Sequence, residues 1–192
     1  MRKTSRRTEK NEDHLQKEII EWILSIIIAV ALALMIHNFV FQIVRVDGPS
    51  MEPTLYTDER MVVTRFTYHF NKPHRGDIVV TKFPDDNNNY VKRIIALEGE
   101  TLLIEDGKLY INGKLLDEPY IKEKIYSDYD EIVLKEGEYM VMGDNRNNSR
   151  DSRYMNVGPL KETMIVGKVQ YVVWPLPEIR EVNHYTGHFI LN

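Results

Sequence analysis

The stretch DIVVTKFPDDNNNYVKRIIAL, residues 77–97, decides the fold. It contains two short runs rich in β-branched and aromatic residues, 77–83 and 90–97, around a polar segment, 85–89, that is typical of a solvated turn. Runs of the same kind flank it: QIVRV (42–46), RMVVTRF (60–66), YMVMGD (139–144) and MIVGKVQYVVW (164–174). No long amphipathic helix follows residue 44. The pattern therefore predicts a mostly β fold, in which twisted antiparallel sheets form a partly closed barrel-like domain.

Two turn signals in the centre of the chain support this interpretation. Asp106-Gly107 and Asn112-Gly113 bracket the short run KLYI. Both dipeptides favour tight hairpin turns because their residues tolerate positive φ angles. We therefore expect KLYI to be a short strand of a meander.

An uncharged run of 23 residues, Trp22 to Val44, precedes the β-rich part. As a helix it spans about 34 Å, enough for a bilayer hydrocarbon core of about 30 Å. A cleavable signal peptide is the alternative, but the apolar run continues well beyond Ala29-Val30-Ala31, the small residues at which cleavage would occur. The sequence therefore predicts an uncleaved transmembrane anchor.

Basic residues before this run set its orientation. Arg2, Lys3, Arg6, Arg7 and Lys10 are among the residues that precede it. Positive residues stay on the cytoplasmic side of a membrane, so the N-terminus is predicted to be cytoplasmic. We expect a basic cytoplasmic tail at 1–18, a single-pass anchor helix in the cell membrane at 19–44 and an extracytoplasmic β-rich domain at 45–192.

The composition excludes several classes of function. Residues 1–18 hold six Lys/Arg against four Asp/Glu, which leaves 19 against 25 for the rest of the chain. An acidic domain lacks the basic surface that nucleic-acid binding needs. There is no cysteine, so thiol nucleophiles, disulfides and cysteine-based zinc sites are excluded. His184 and His188 have no third ligand nearby, and we assign neither a metal nor a cofactor.

Three segments carry residue types that peptide-bond hydrolysis needs, and the first is GPSMEPTL (48–55). Prolines on both sides of Ser50 restrict the backbone, which would hold the hydroxyl in a fixed direction. Gly48 leaves room for a substrate carbonyl to approach. An ordinary Pro/Gly/Ser loop is the alternative from composition alone. Exposed apolar residues of this segment, such as Met51, are candidates for contact with lipid.

The second segment is YVKRII (90–95). On a strand, alternation places Lys92 in an apolar row with Tyr90 and Ile94. Burial disfavours an ammonium, so a lysine there has a lowered pKa and could accept a serine proton at neutral pH. Arg93 cannot, because a guanidinium stays protonated. A lysine that extends from a strand edge into solvent is the alternative.

The third segment, MGDNRNNSRDSR (142–153), follows an apolar strand end and is dense in hydrogen-bonding groups. Such a loop can orient other residues, or be a polar surface loop. The motifs of other hydrolases, Gly-x-Ser-x-Gly, Ser-x-x-Lys and His-Glu-x-x-His, do not occur. A Ser-His-Asp triad that uses His69 or His74 with Asp77 stays open.

Four blocks in this order behind one N-terminal anchor resemble bacterial type I signal peptidases of the small single-span kind. The blocks are SMEPTL (50–55), RGDIVV (75–80), YVKRII (90–95) and GDNRNNSRDSR (143–153). The resemblance covers nearly everything from the anchor to about Pro175. Four ordered blocks are far more specific than any one of them.

The resemblance implies a serine endopeptidase in which Ser50 is the nucleophile and Lys92 the general base. It implies that Ser149 hydrogen-bonds and positions the lysine. It further suggests two pairs, Asp144 with Arg93 and Asp151 with Arg153, that hold the last loop against the strand of Lys92. Some relatives have an oxyanion-hole serine where this chain has Gly48, so the hole would rest on the backbone N–H of Ser50.

The partners implied by the resemblance are exported preproteins, cut after a small-x-small motif, and the lipid bilayer; we expect a monomer. A peptide would dock as an added strand. Ser50 lies six residues beyond Val44, within about 20 Å of the bilayer surface even if the link is extended. The alternatives are a Ser/Lys peptidase with one dedicated substrate and a membrane-tethered, non-catalytic β-rich module that binds peptides.

Overall fold

The computed structural model describes residues 17–34, 41–185 and 188–189. Helix α1 covers residues 17–34, and a four-residue helix, α2, covers Thr67–Phe70. Two short 3-10 helices cover Glu162–Met164 and Leu176–Glu178. The strands are β1 (Phe41–Arg45), β2 (Arg60–Thr64), β3 (Ile78–Phe83), β4 (Asp86–Ala96), β5 (Thr101–Glu105), β6 (Lys108–Ile111), β7 (Lys114–Asp117), β8 (Tyr129–Val133), β9 (Glu138–Met142), β10 (Leu160–Lys161), β11 (Ile165–Trp174), β12 (Arg180–Glu181) and β13 (His188–Phe189).

The N-terminal part of the chain differs from the prediction at one end. Residues 41–44, which we predicted to end the anchor helix, belong to β1, and β1 pairs with β2 along its whole length. The chain divides into two compact units, and the second of them begins at Phe41 rather than at residue 45. Residues 35–40 of the predicted anchor lie outside the described residues. Within the described ranges, none of the helices combines the length and the apolar character that crossing a membrane requires.

Two antiparallel sheets make up the unit that begins at Phe41. The larger has the strand order β1-β2-β11-β3-β4-β9-β10, with β12 paired to β11. The smaller has the order β13-β7-β6-β5-β8, and KLYI is its strand β6, as predicted. The mostly β, antiparallel fold is therefore confirmed. The described residues contain no closed barrel. In the larger sheet β1 and β10 are edge strands, each with a strand neighbour on one side only, and the meander forms a separate sheet.

Strand β4 is longer than we predicted. The polar segment 85–89, which we interpreted as a turn, turns only at 84–85; the strand begins at Asp86 and runs for 11 residues to Ala96. Along β4, Lys82 of β3 faces Asn89 and Val79 faces Lys92. On the opposite edge β9 pairs with β4 only from Arg93 onward. The first half of β4 therefore has one edge without a strand neighbour among the described residues.

Candidate active site

The turn that carries Ser50 is anchored in the core on both sides of the serine. Val46 before it and Met51 and Leu55 after it belong to one apolar cluster with strands β2, β3 and β11. Met51 is 1% exposed, so our expectation that it contacts lipid was wrong. Gly48 has a φ of 89°, a conformation that residues with a side chain rarely adopt. Burial and backbone geometry together fix the position of Ser50.

Asn145 holds this turn from the third segment, a role that the sequence did not indicate. Its backbone N–H donates to the carbonyl oxygen of Ser50 at 3.1 Å, and its side-chain Nδ2 donates to the carbonyl oxygen of Pro49 at 3.1 Å. Asn145 is buried. Two hydrogen bonds from one buried residue to consecutive peptide units leave the turn little freedom.

Lys92 lies against Ser50 in the structure. Its Nζ is 2.8 Å from Ser50 Oγ and 2.8 Å from the carbonyl oxygen of Val91. The side chain is 2% exposed, as the apolar row of β4 predicted. Burial lowers the pKa of Lys92 to about 8, although Asp151 and Asp144 act in the opposite direction. At pH 7 about one tenth of Lys92 is therefore an uncharged amine, far more than for a lysine with an ordinary pKa.

Ser149 is close to this pair but is not bonded as predicted. Its Oγ is buried and finds no hydrogen-bond partner among the described residues, whereas we expected it to bond Lys92. A Cβ added to Gly143 would collide both with Ser149 Oγ and with the carbonyl oxygen of Ser50. Gly143 therefore lets Ser149 and the nucleophile turn approach each other, a role that no local sequence signal indicates.

A buried ion pair connects β4, the strand that carries Lys92, to the third segment, residues 142–153. Arg93 is 1% exposed and forms two hydrogen bonds with Asp144, Nε to Oδ1 at 2.9 Å and Nη2 to Oδ2 at 2.7 Å. Thr54 of the nucleophile turn donates to the same carboxylate. The ring of Tyr120 lies over the guanidinium, 4.1 Å from Cζ. One buried pair thus joins the segments of Ser50, Lys92 and Ser149.

Asp151 and Arg153 form the second expected pair, within the loop itself. Arg153 donates from Nε at 2.8 Å and from Nη2 at 2.9 Å to the carboxylate of Asp151. Asp151 also accepts from the backbone N–H of Gly143 at 3.1 Å. The pair therefore fixes the loop at the glycine that separates Ser50 from Ser149.

Replacing Asp144 by asparagine is expected to lower the free energy of unfolding by about 3–5 kcal/mol, because it leaves the charge of Arg93 buried without a counter-charge. Urea unfolding, followed by tryptophan fluorescence, measures the loss. Asp58→Asn is the matched control: it removes the partner of Arg45, which is 68% exposed, and should leave the free energy of unfolding almost unchanged, because solvent screens exposed ion pairs. Equal losses in the two variants would contradict the assigned importance of the buried pair.

The contacts of Asp77 do not support the alternative of a Ser-His-Asp triad. This buried carboxylate bonds Lys168 Nζ at 2.6 Å and Tyr68 Oη at 2.8 Å. His74 Nδ1 lies 4.0 Å from it, beyond hydrogen-bond reach. The partner of Ser50 Oγ is Lys92.

A groove leads to Ser50 between two strand edges. Its cavity of about 370 Å³ is walled by the end of β1 and by Asn88 to Lys92 of β4, with Ser50 and Met51 at its floor. Asn88 and Asn89 belong to this wall because the supposed turn is a strand. The groove has the form of a slot for an extended peptide.

Comparisons with known proteins agree with one another. The family model "Signal peptidase, peptidase S26" matches residues 19–174. The chain is 39% identical to signal peptidase I of Bacillus licheniformis over 186 residues, 92% of this chain and 100% of that protein. It is 41% identical to signal peptidase I S of Bacillus subtilis (strain 168) over 179 residues, 88% of this chain and 96% of the relative. A crystal structure of a signal peptidase I from Enterococcus faecalis V583 is 34% identical, with a TM-score of 0.46, and covers 51% of this chain and 97% of that chain.

Proposed function

Because the chain belongs to the signal peptidase family, peptidase S26, we propose that it is a membrane-anchored serine endopeptidase that removes signal peptides from exported preproteins with a Ser50/Lys92 dyad. One observation carries the proposal: a buried lysine with a lowered pKa lies 2.8 Å from a serine hydroxyl on a rigid turn. That arrangement supplies a nucleophile and its base without a histidine.

In the proposed reaction the uncharged amine of Lys92 accepts the proton of Ser50 as Oγ attacks the scissile carbonyl carbon. The lysine then delivers this proton to the leaving amine, which departs as the new N-terminus. A water molecule, activated by the same amine, hydrolyses the acyl-enzyme and frees Ser50. The backbone N–H of Ser50 has no acceptor among the described residues, so it is free to donate to the oxyanion.

Ser149 completes the surroundings of Lys92 in this scheme. A neutral amine has one lone pair, which faces the Ser50 proton, and two N–H donors, one of which is used by the carbonyl oxygen of Val91. Ser149 Oγ, buried and without a partner, is the acceptor we assign to the second donor. A small movement of the amine on substrate binding would form this bond.

The substrate is proposed to bind as an added strand in the groove. Among the described residues, β1 has one free edge and the first half of β4 has another, and both border the groove. A peptide between them can form backbone hydrogen bonds to either side, while alternate side chains point toward the floor. Cleavage after a small-x-small motif, which the family resemblance implies, would place its two small side chains on the face of the peptide that points toward Ser50.

Membrane attachment through the N-terminal segment belongs to the same proposal. The apolar side chains of α1, such as Trp22, Ile27 and Leu34, are at least half exposed, and basic residues precede them. A helix that is apolar all round needs an apolar environment. We assign the N-terminus to the cytoplasm, residues from Phe41 onward to the outer side of the cell membrane, and the active unit to a monomer in contact with lipid.

Ser50→Ala is expected to abolish processing, because it removes the hydroxyl that Lys92 Nζ contacts at 2.8 Å. Several unrelated preproteins are incubated with the full chain in detergent micelles, and the mature products are identified by N-terminal sequencing. Thr57→Ala, which removes an exposed hydroxyl from the same segment, should process at the wild-type rate. Equal processing by Ser50→Ala would exclude the Ser50/Lys92 enzyme as proposed, and no processing by the wild type would favour the peptide-binding module. Cleavage of one preprotein alone would favour the peptidase with a dedicated substrate.

A further inference from the structure

A second cavity, of about 350 Å³, is lined by part of the third segment and has no lining residue in common with the groove. One wall is formed by residues 126–129, and the other by the loop of Ser149 and by Tyr154. The groove contains Ser50 and Lys92 but not Ser149, and this second cavity contains Ser149 but neither of the other two. No step of the mechanism above uses it.

The sheet itself directs a bound peptide toward this cavity. A peptide added along the first half of β4 must leave the sheet at Lys92, because from Arg93 onward that edge is occupied by β9. Strand β9 ends at Met142, and the loop that follows passes between Ser50 and the second cavity. A Cβ added at Gly143 would collide with both the carbonyl oxygen of Ser50 and Ser149 Oγ, so these two atoms lie close to each other at this glycine. The chain beyond the scissile bond therefore leaves across this loop.

Hydrogen bonds connect the two walls of the second cavity, so the cavity exists before a ligand binds. Asn147 accepts a hydrogen bond from the backbone N–H of Tyr126 at 3.0 Å through Oδ1. Its Nδ2 donates to the carbonyl oxygen of Lys124 at 2.8 Å. A preformed cavity costs less ordering entropy when a flexible segment binds.

The charge of the cavity is set by Asp128. Two arginines line it, but Arg146 is paired with Glu118 at 2.6 Å and Arg153 with Asp151 at 2.8 Å. Asp128 is exposed and has no ion-pair or hydrogen-bond partner within the part of the chain that the structure describes. The cavity therefore presents one uncompensated negative charge beside the rings of Tyr126 and Tyr154.

We propose that this cavity receives the first residues of the mature chain, on the leaving side of the scissile bond, and that Asp128 makes it favour basic over acidic side chains there. The inference rests on the proposed function and adds a specificity determinant beyond the scissile bond. The ligand class is a polypeptide N-terminal segment of neutral or positive charge. The two tyrosine rings offer it stacking and cation–π contacts.

The first test compares two peptides that are identical up to the scissile bond and carry either lysine or glutamate at the second and third positions after it. Wild-type kcat/KM should be about fivefold or more higher for the lysine peptide, since one unit-charge pair about 4 Å apart in water contributes about 1 kcal/mol. Asp128→Asn should remove this preference, and Asp128→Lys should reverse it. Asp106→Asn, which neutralises an exposed carboxylate in the β5–β6 turn, should keep it.

Equal kcat/KM for the two peptides in the wild type, or a lysine preference that survives in Asp128→Asn, would overturn the inference. Both results require cleavage that depends on Ser50, so the proposed function would stand. If the wild type cleaves neither peptide, the proposed function fails and the inference fails with it.

A second test obstructs the cavity without changing its charge. Ser127→Trp fills it from an exposed position and should raise KM about tenfold for peptides that extend beyond the scissile bond. Lys108→Trp, which adds the same ring at an exposed position of β6 outside both cavities, is the control and should keep the wild-type KM. A substrate whose scissile carbonyl is followed only by a small amide leaving group should be cut at the wild-type rate by both variants. Equal losses on the long and the short substrate would overturn the inference.

Discussion

Lys92→Arg is expected to lose about 10²–10⁴-fold in kcat/KM, the contribution typical of a positioned general base. Arginine keeps the positive charge and can donate to the carbonyl oxygen of Val91, but it has no lone pair for the Ser50 proton at any accessible pH. Cleavage of a reference peptide by the purified full chain measures the loss. Lys122→Arg is the matched control, because Lys122 is half-exposed and bonds Glu52 of the nucleophile turn; it should retain wild-type activity.

The pH dependence of kcat/KM in the wild type tests the role of Lys92 independently of any substitution. Burial lowers the pKa of Lys92 to about 8, so the reactive amine becomes scarcer as the pH falls below that value. The logarithm of kcat/KM should rise with unit slope at acid pH and level off above about 8. If the pH profile of kcat/KM levels off only near the ordinary lysine pKa of about 10.4, Lys92 is excluded as the base. Appreciable activity in Lys92→Arg would exclude it as well.

Burial of Lys92 also has a thermodynamic consequence that separates its chemical role from folding. Between about pH 8 and the ordinary lysine pKa, the unfolded chain binds a proton that the folded chain has released, so stability rises with pH in that window. Below it, holding the ammonium in the core costs on the order of 3 kcal/mol. Lys92→Met should therefore unfold at a higher temperature at pH 7 and be inactive.

The position of Lys92 could be predicted because it depends on local alternation. A strand places every second residue on one face, and the apolar neighbours of Lys92 in the row identify that face as buried. The structure confirms the burial, and this burial lowers the pKa of Lys92. The two carboxylate–arginine pairs are also present, but their prediction came from family resemblance, since Arg93 and Asp144 lie 51 positions apart.

Predictions from local sequence pattern were wrong where tertiary contacts override the intrinsic secondary-structure propensity of a segment. The Asn-rich segment 86–89 has little intrinsic preference for a strand, yet it pairs with β3, and Tyr90 Oη and Asn88 both bond Asp86. Residues 41–44 are apolar enough to continue a helix, but pairing with β2 makes them a strand. Asn145 has no local signal, because its hydrogen-bond partners, Pro49 and Ser50, are almost 100 residues away in the sequence. Such roles become visible only when the chain is folded.

Gly143→Ala is expected to lower kcat about 100-fold or more in a chain that still folds. The added methyl group would overlap the carbonyl oxygen of Ser50 and the side chain of Ser149, so the nucleophile turn must move away from Lys92. A displacement of about 1 Å at reacting atoms is enough for a 10²-fold loss. Peptide cleavage by the variant, with the folded fraction determined by circular dichroism, measures the effect.

The matched control is Gly167→Ala, where an added methyl group meets the carbonyl oxygen of Thr64 between β11 and β2, outside the active site. Both variants insert a methyl group against backbone, so both should lower the unfolding temperature by comparable amounts. Only Gly143→Ala should lower kcat per folded molecule, and its KM should stay close to the wild-type value because the edges of β1 and β4, which form the walls of the groove, are unchanged. If kcat falls equally in both variants, the loss comes from destabilisation, and Gly143 does not hold Ser50 in register with Lys92.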